Sequence, residues 1–71
     1  MNVFERLRYE KGLTQREVAV GAGISRATVI RLEQLREPKP SVPVARALAV
    51  FYEVPLADLL PTDNDAPRRV A

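Results

Sequence analysis

The stretch from Thr14 to Glu33, reading TQREVAVGAGISRATVIRLE, constrains the fold of this chain more than any other. Thr14 followed three residues later by Glu17 is a capping box, in which the hydroxyl takes a first-turn amide and the carboxylate returns to the cap amide. This predicts a helix from Gln15 to Val20 or Gly21, with Val18 and Ala19 facing inward. Gly21 and Gly23 end it, and Gly23 can supply a positive φ that a residue with a Cβ reaches only at a cost. Ile24 then turns into the core, and Ser25 caps a further helix that runs to Glu33. Val29 and Leu32 share the inward stripe of that helix, which leaves Arg26 and Arg31 on its open face.

Close packing of two short helices across a tight turn has steric demands that translate into positions. A small residue is needed where the helices approach, and Ala19 is there. A left-handed residue is needed four positions later, and Gly23 is there. Ile24, Val29 and Leu32 provide the apolar anchors of the following helix at the required separations. Five matches in register behind a capping box distinguish a helix-turn-helix from an ordinary αα-hairpin. The second helix of such a unit is the one that enters the DNA major groove.

The flanking sequence reads as a helical platform. Val3, Phe4 and Leu7 form an apolar stripe in a first helix over Val3 to Lys11, with Asn2 as cap and Gly12 as stop. After Glu33, the segment QLREPKPSVP carries three prolines and cannot continue a helix. The spacing of Ala45, Leu48, Ala49 and Tyr52 predicts a fourth helix over Val44 to Tyr52, with Pro43 in its first turn and Ser41 as cap. Leu56 to Leu60 is expected to form a final helical turn or two before Pro61. No segment reads as a strand, so the expected fold is all-α: a compact five-helix domain over residues 1–60, followed by a flexible tail over residues 61–71.

Composition narrows the functional classes. The 71 residues include no cysteine and no histidine, which excludes disulfide staples and the usual zinc ligand sets. A chain of this size buries only roughly 60% of its unfolded surface, so efficient helix packing or a partner is required. No apolar run is long enough to span a membrane and no signal-peptide pattern follows Met1; together with the missing cysteines this suggests a cytoplasmic location. The net charge of +2 is small, but residues 1–36 carry seven Lys/Arg against four Asp/Glu, and residues 37–71 carry four against five. The basic excess lies with the helix pair that would read DNA.

Gly12-Leu13-Thr14-Gln15, Ala19, Gly23-Ile24-Ser25, Val29, Arg31-Leu32-Glu33, Pro40, Leu48-Ala49, Val54 and Leu59-Leu60 together resemble the lambda-repressor/Cro-type helix-turn-helix family, the xenobiotic-response-element type. The resemblance covers roughly residues 3–60 and independently implies the five-helix fold. It further implies that Gln15 contacts a phosphate and braces the recognition helix, and that Arg8 and Glu33 form an internal ion pair. Two departures stand out. Leu35 occupies the place of the glycine that usually closes the recognition helix, and Phe51-Tyr52-Glu53 replaces the usual Ala-Leu-Gly before Val54.

Base reading is assigned to Arg26, Ala27, Thr28 and Arg31. Arginine can donate two hydrogen bonds to guanine, and Ala27 and the Thr28 methyl suit a thymine methyl. Ser25 is expected to serve as cap and phosphate donor. Arg36 and Lys39, flanking the proline-rich loop, and Arg16 are expected to bind phosphates, which position a protein without reading sequence. Ile30 is unusually apolar for its face. One recognition helix alone binds weakly, so a homodimer on a palindromic operator is expected, with Tyr52, Leu56, Leu59 and Leu60 as its contact.

The function expected is a sequence-specific, double-stranded DNA-binding transcriptional regulator, of the phage repressor or Cro type or a small bacterial relative. The chain length leaves no room for a ligand-sensing domain, and no small-molecule ligand, cofactor, metal or membrane partner is expected. An antitoxin that neutralises a protein partner and a restriction-modification controller are the alternatives. No catalytic residue is identified: without His or Cys, and with Asp58, Asp63 and Asp65 reading as solvated charge, no enzymatic constellation can be assembled.

Overall fold

A short polar side chain opens each α-helix of this protein by taking an amide that the helix itself cannot satisfy. In the computed structural model, which describes residues 1–61, α1 spans Val3–Glu10, α2 Gln15–Ala22, α3 Arg26–Gln34 and α4 Val42–Tyr52. Asn2 Oδ1 accepts from the Glu5 amide at 3.1 Å, Thr14 Oγ1 from Glu17 at 3.0 Å, Ser25 Oγ from Thr28 at 3.0 Å and Ser41 Oγ from Val44 at 3.3 Å. The Thr14 amide in turn donates to Glu17 Oε1 at 2.8 Å, so the capping box is complete.

Three of the four helices also end alike. After α2, Gly23 turns left-handed at φ 72°, its amide donates to the Val20 carbonyl and the Ile24 amide reaches the Ala19 carbonyl at 3.0 Å. This is the Schellman arrangement, and it places half-buried Ile24 against the core. Gly12 after α1 repeats it, with the Leu13 amide on the Arg8 carbonyl at 3.1 Å. Glu53 after α4 repeats it without a glycine, at φ 59°, with the Val54 amide on the Ala49 carbonyl at 3.0 Å. The end of α3 is different. Leu35 stays extended, and its amide donates to Arg31.

Side chains from every helix meet in one core: Phe4 of α1, Val18 and Ala19 of α2, Val29 and Leu32 of α3, and Ala45, Leu48, Ala49 and Tyr52 of α4. Helix α2 packs against both α3 and α4, and α1 packs against α3. Gly21 lies inside α2 rather than ending it, and the reason is steric. A Cβ there would sit 2.2 Å from Cε1 of Phe51, so the ring of α4 occupies the space a side chain would need. Phe51 in turn meets Tyr52 edge to face, ring centres 5.1 Å apart.

The last of the five expected helical segments is a single turn. Leu56–Asp58 makes a single 3-10 turn, begun at Pro55 without a side-chain cap. Pro55 and Pro61 leave too little chain between them for a cooperative α-helical segment. The turn packs on α4 and delivers Leu59 into the core, 2% exposed. Helix α4 begins earlier than its sequence suggested, at Val42, with Pro43 in its first turn where a missing amide is harmless. Residues 62–71, which include nearly all of the expected tail, lie outside the described part of the chain.

Two consequences are measurable. Glu53 holds a left-handed conformation that costs an L-residue roughly 1–2 kcal/mol, partly offset by the greater freedom a glycine has when unfolded. Glu53→Gly should therefore raise stability by about 0.5–1 kcal/mol, read as a thermal midpoint higher by about 3–6 °C. Tyr52 is 3% exposed, and burial, reinforced by the nearby Glu33 charge, pushes its phenol up from 10.0 to about 12. The folded state thus favours the neutral phenol, a contribution fully present below pH 10 and lost as the pH rises towards 12. Urea midpoints measured between pH 9 and 12 should fall by the equivalent of about 2 kcal/mol in the wild type, and by clearly less in Tyr52→Phe.

Candidate nucleic-acid interface

One carboxylate ties three helices together beside the helix-turn-helix. Arg8 of α1 grips Glu33 near the end of α3 through two parallel bonds, Nε to Oε2 at 2.7 Å and Nη2 to Oε1 at 2.9 Å. Gln15, first residue of α2, donates its Nε2 to the same Oε1 at 3.1 Å. Arg8 Nη1 continues to the Leu13 carbonyl at 3.0 Å, and its guanidinium lies 4.6 Å from the Tyr9 ring centre. The ion-pair side chains are 10% and 3% exposed, which makes this a buried, bidentate pair. The hydrogen bonds from Arg8 to Glu33 hold the guanidinium still more firmly in its charged form, against the opposing cost of burial. The bracing role expected of Gln15 thus has a direct atomic basis.

Anchored at that end by the pair and along its length by Val29 and Leu32, α3 leaves Arg26, Ala27 and Arg31 exposed. Thr28 is half-buried, and its hydroxyl lies 2.7 Å from the Ser25 hydroxyl, which also accepts the Thr28 amide. Ser25 is therefore engaged as a cap, and Thr28 is tied to it. Ile30, the unusually apolar residue of this helix, is half-buried as well.

Apart from Ser25, the polar and basic side chains assigned to phosphates line two separate depressions. Gln15, Arg16 and Arg26 line one shallow concavity together with Thr14 and Tyr9. Arg36 and Lys39, beyond the C-terminal end of α3, line a separate groove with Asn2, Phe4 and Asp58.

The surface expected to join two chains is only partly available. Tyr52 and Leu59 are core residues, 3% and 2% exposed, and have almost no surface left to offer a second chain. That expectation is corrected: the apolar periodicity that marks a contact face also marks a core face, and these two side chains close the bottom of the core. Leu56 and Leu60 remain half-buried against it. Sequence reasoning also missed one residue near the interface. Beyond capping α1, Asn2 donates its amide to the Leu32 and Leu35 carbonyls at the end of α3, at 2.6 and 3.0 Å.

Removing one partner of the buried pair strands a desolvated charge, whereas removing both does not. Arg8→Met alone should cost about 3–5 kcal/mol. The double variant Arg8→Met/Glu33→Met should cost less than the two single changes combined, by more than about 1 kcal/mol, in urea unfolding of all four proteins.

Comparison with known proteins agrees with this geometry. Residues 3–61 match the family model for the helix-turn-helix domain. The chain is 39% identical over 54 residues to the cryptic phage CTXphi transcriptional repressor RstR of Vibrio cholerae, an alignment that covers 76% of this chain and 48% of that protein. The chain thus spans about half the length of that curated relative, and no solved structure gives a significant match. Pattern, fold and relatives agree: the chain belongs to the Cro/C1-type helix-turn-helix family.

Proposed function

We propose that this chain is a transcriptional regulator that reads double-stranded DNA by placing α3 in the major groove. The observation that carries this reading is the division of α3 into a buried and an open side. Val29, Leu32 and the Glu33 ion pair fix the helix from one side, while Arg26, Ala27 and Arg31 stand exposed on the other. Arg26, in the first turn, is the reader best placed for a bidentate contact to guanine. Arg31 and Ala27 follow along the same helix, and Thr28, its hydroxyl tied to Ser25, offers chiefly its methyl group.

The polar and basic side chains beside α3 would act on the backbone. Gln15 has a second hydrogen on the nitrogen that braces Glu33, and that hydrogen is available to a phosphate. Arg16 and Ser25 are assigned further phosphates, and Arg36 and Lys39 those beyond the end of α3. Such contacts supply affinity and register but no sequence information. Two copies related by a two-fold axis would double them and favour a palindromic site, and Leu56 and Leu60 are the members of the expected contact still able to reach a second chain. The relative is a repressor by name, and repression by occupying an operator is the mode proposed here.

Selection of binding sites from random duplex DNA tests this reading. Sites with two-fold symmetry and half-sites about 34 Å apart are expected; failure to enrich any duplex sequence would remove the function. On the selected duplex, Arg26→Ala should lose about 1–3 kcal/mol of discrimination at one base position in each half-site, measured over a panel of single-base operator variants. Undiminished discrimination there would take Arg26 out of base readout.

A further inference from the structure

Among the described residues, the end of α3 is the one α-helix C-terminus that closes neither by a glycine nor by the Schellman pattern. The last carbonyls of a helix have no partner within it. After α1, α2 and α4 they receive the amides that follow the left-handed residues Gly12, Gly23 and Glu53. After α3 the chain is extended at Leu35, at φ −81° and ψ 140°, and that route is closed. The carbonyls of Leu32 and Leu35 are instead taken by a side chain some thirty residues away: Asn2 Nδ2 donates to them at 2.6 and 3.0 Å. The same side chain, through Oδ1, caps α1.

We propose that Asn2 is a positioning residue for the phosphate contacts beyond the recognition helix. One planar amide joins the start of α1 to the end of α3, its oxygen facing the amides of one helix and its nitrogen the carbonyls of the other. The carbonyl it holds at Leu35 is covalently next to Arg36, and Asn2, Arg36 and Lys39 line the same groove. Asn2 therefore sets the direction in which the chain leaves α3, and with it where Arg36 and Lys39 stand relative to the helix. A C-terminal glycine would instead close the helix locally. The inference rests on the DNA-binding reading given above.

The two roles of Asn2 separate chemically. Ser at position 2 keeps an oxygen to cap α1 but has no amide to reach α3, and Leu35→Gly gives α3 its own left-handed stop. The test uses the full chain, the duplex selected on the wild type, and a temperature at which circular dichroism shows every variant folded. In Asn2→Ser, amide exchange at residues 34–37 should accelerate by about fivefold to tenfold, with the α1 amides unchanged. Binding should weaken roughly tenfold at 0.1 M salt, and the salt slope should fall by about 1, with base preference intact. Asn2→Ser/Leu35→Gly should restore slow exchange at the helix end but not the affinity, because its left-handed exit turns Arg36 and Lys39 in another direction. Full recovery of affinity would overturn the positioning role. A faster-exchanging helix end with unaltered affinity and slope would make Asn2 a structural cap only, and a loss confined to thermal stability would do the same. A wild-type chain that selects no duplex would overturn the DNA reading itself, a result distinct from a wild type that binds and an Asn2→Ser variant that binds equally well.

Discussion

The carboxylate of Glu33 is the point on which the recognition helix depends. It accepts from Arg8 twice and from Gln15 once, so α1, the start of α2 and the end of α3 share a single acceptor group. Burying two charges is costly, and a well-packed apolar pair would serve stability as well or better. What an apolar pair would not supply is direction. Two parallel bonds from a planar guanidinium fix both distance and rotation, and a slide of α3 against α1 by even part of a turn would leave an unpaired charge in a dry site. The pair therefore acts on register, which a helix presented to a DNA groove, as proposed for α3, would require.

Control of the helix ends follows the same logic at lower energy. Every α-helix begins with a side-chain oxygen on a first-turn amide, and three of them end on a left-handed residue. Glu53 shows how far the pattern persists when the residue is unsuited to it: Val54 still folds back to Ala49 although no glycine is present. Burial of Tyr52 just before it and half-burial of Val54 just after it hold the turn closed. At the end of α3 no such packing is available to an exposed Leu35, and the long-range hydrogen bonds of Asn2 take over.

These differences explain which features were legible in the amino-acid sequence. Thr14, Glu17, Ser25, Ser41 and Gly23 act on residues three or four positions away, so spacing alone reveals them. Val18, Ala19, Val29 and Leu32 were equally plain, because a helical stripe has one inward side in a domain this small. Tyr52 and Leu59 were misassigned because a stripe records that a face is covered, and both a core and a partner cover it. The final segment was legible as a helical turn or two, but its 3-10 form depends on a competition between Pro55, Pro61 and the pull of Leu59 into the core that tertiary packing decides. Gly21 was read as a helix end because nothing local announces the Phe51 ring that fills its space. The missing glycine at Leu35 was visible, but its replacement was not. Asn2 and Leu35 are 33 positions apart, and an N-cap asparagine looks the same whether or not its amide is employed.

The resulting arrangement divides order and freedom between the frame and the side chains exposed on α3. Ser25 and Thr28 lock the first turn of α3, Glu33 locks its last, and Val29 and Leu32 root the middle. Arg26 and Arg31 project from this fixed helix as exposed side chains, and among the described residues neither forms an ion pair. A long side chain loses up to about 2 kcal/mol of rotamer entropy when it is immobilised, and a loose backbone would add roughly 1–2 kcal/mol for each residue ordered on contact. Because the backbone is ordered in advance, that second cost falls on folding rather than on recognition. If α3 reads DNA as proposed, the arginines need only settle onto the bases, and a mismatch would be felt as an unpaired guanidinium instead of being absorbed by a yielding helix.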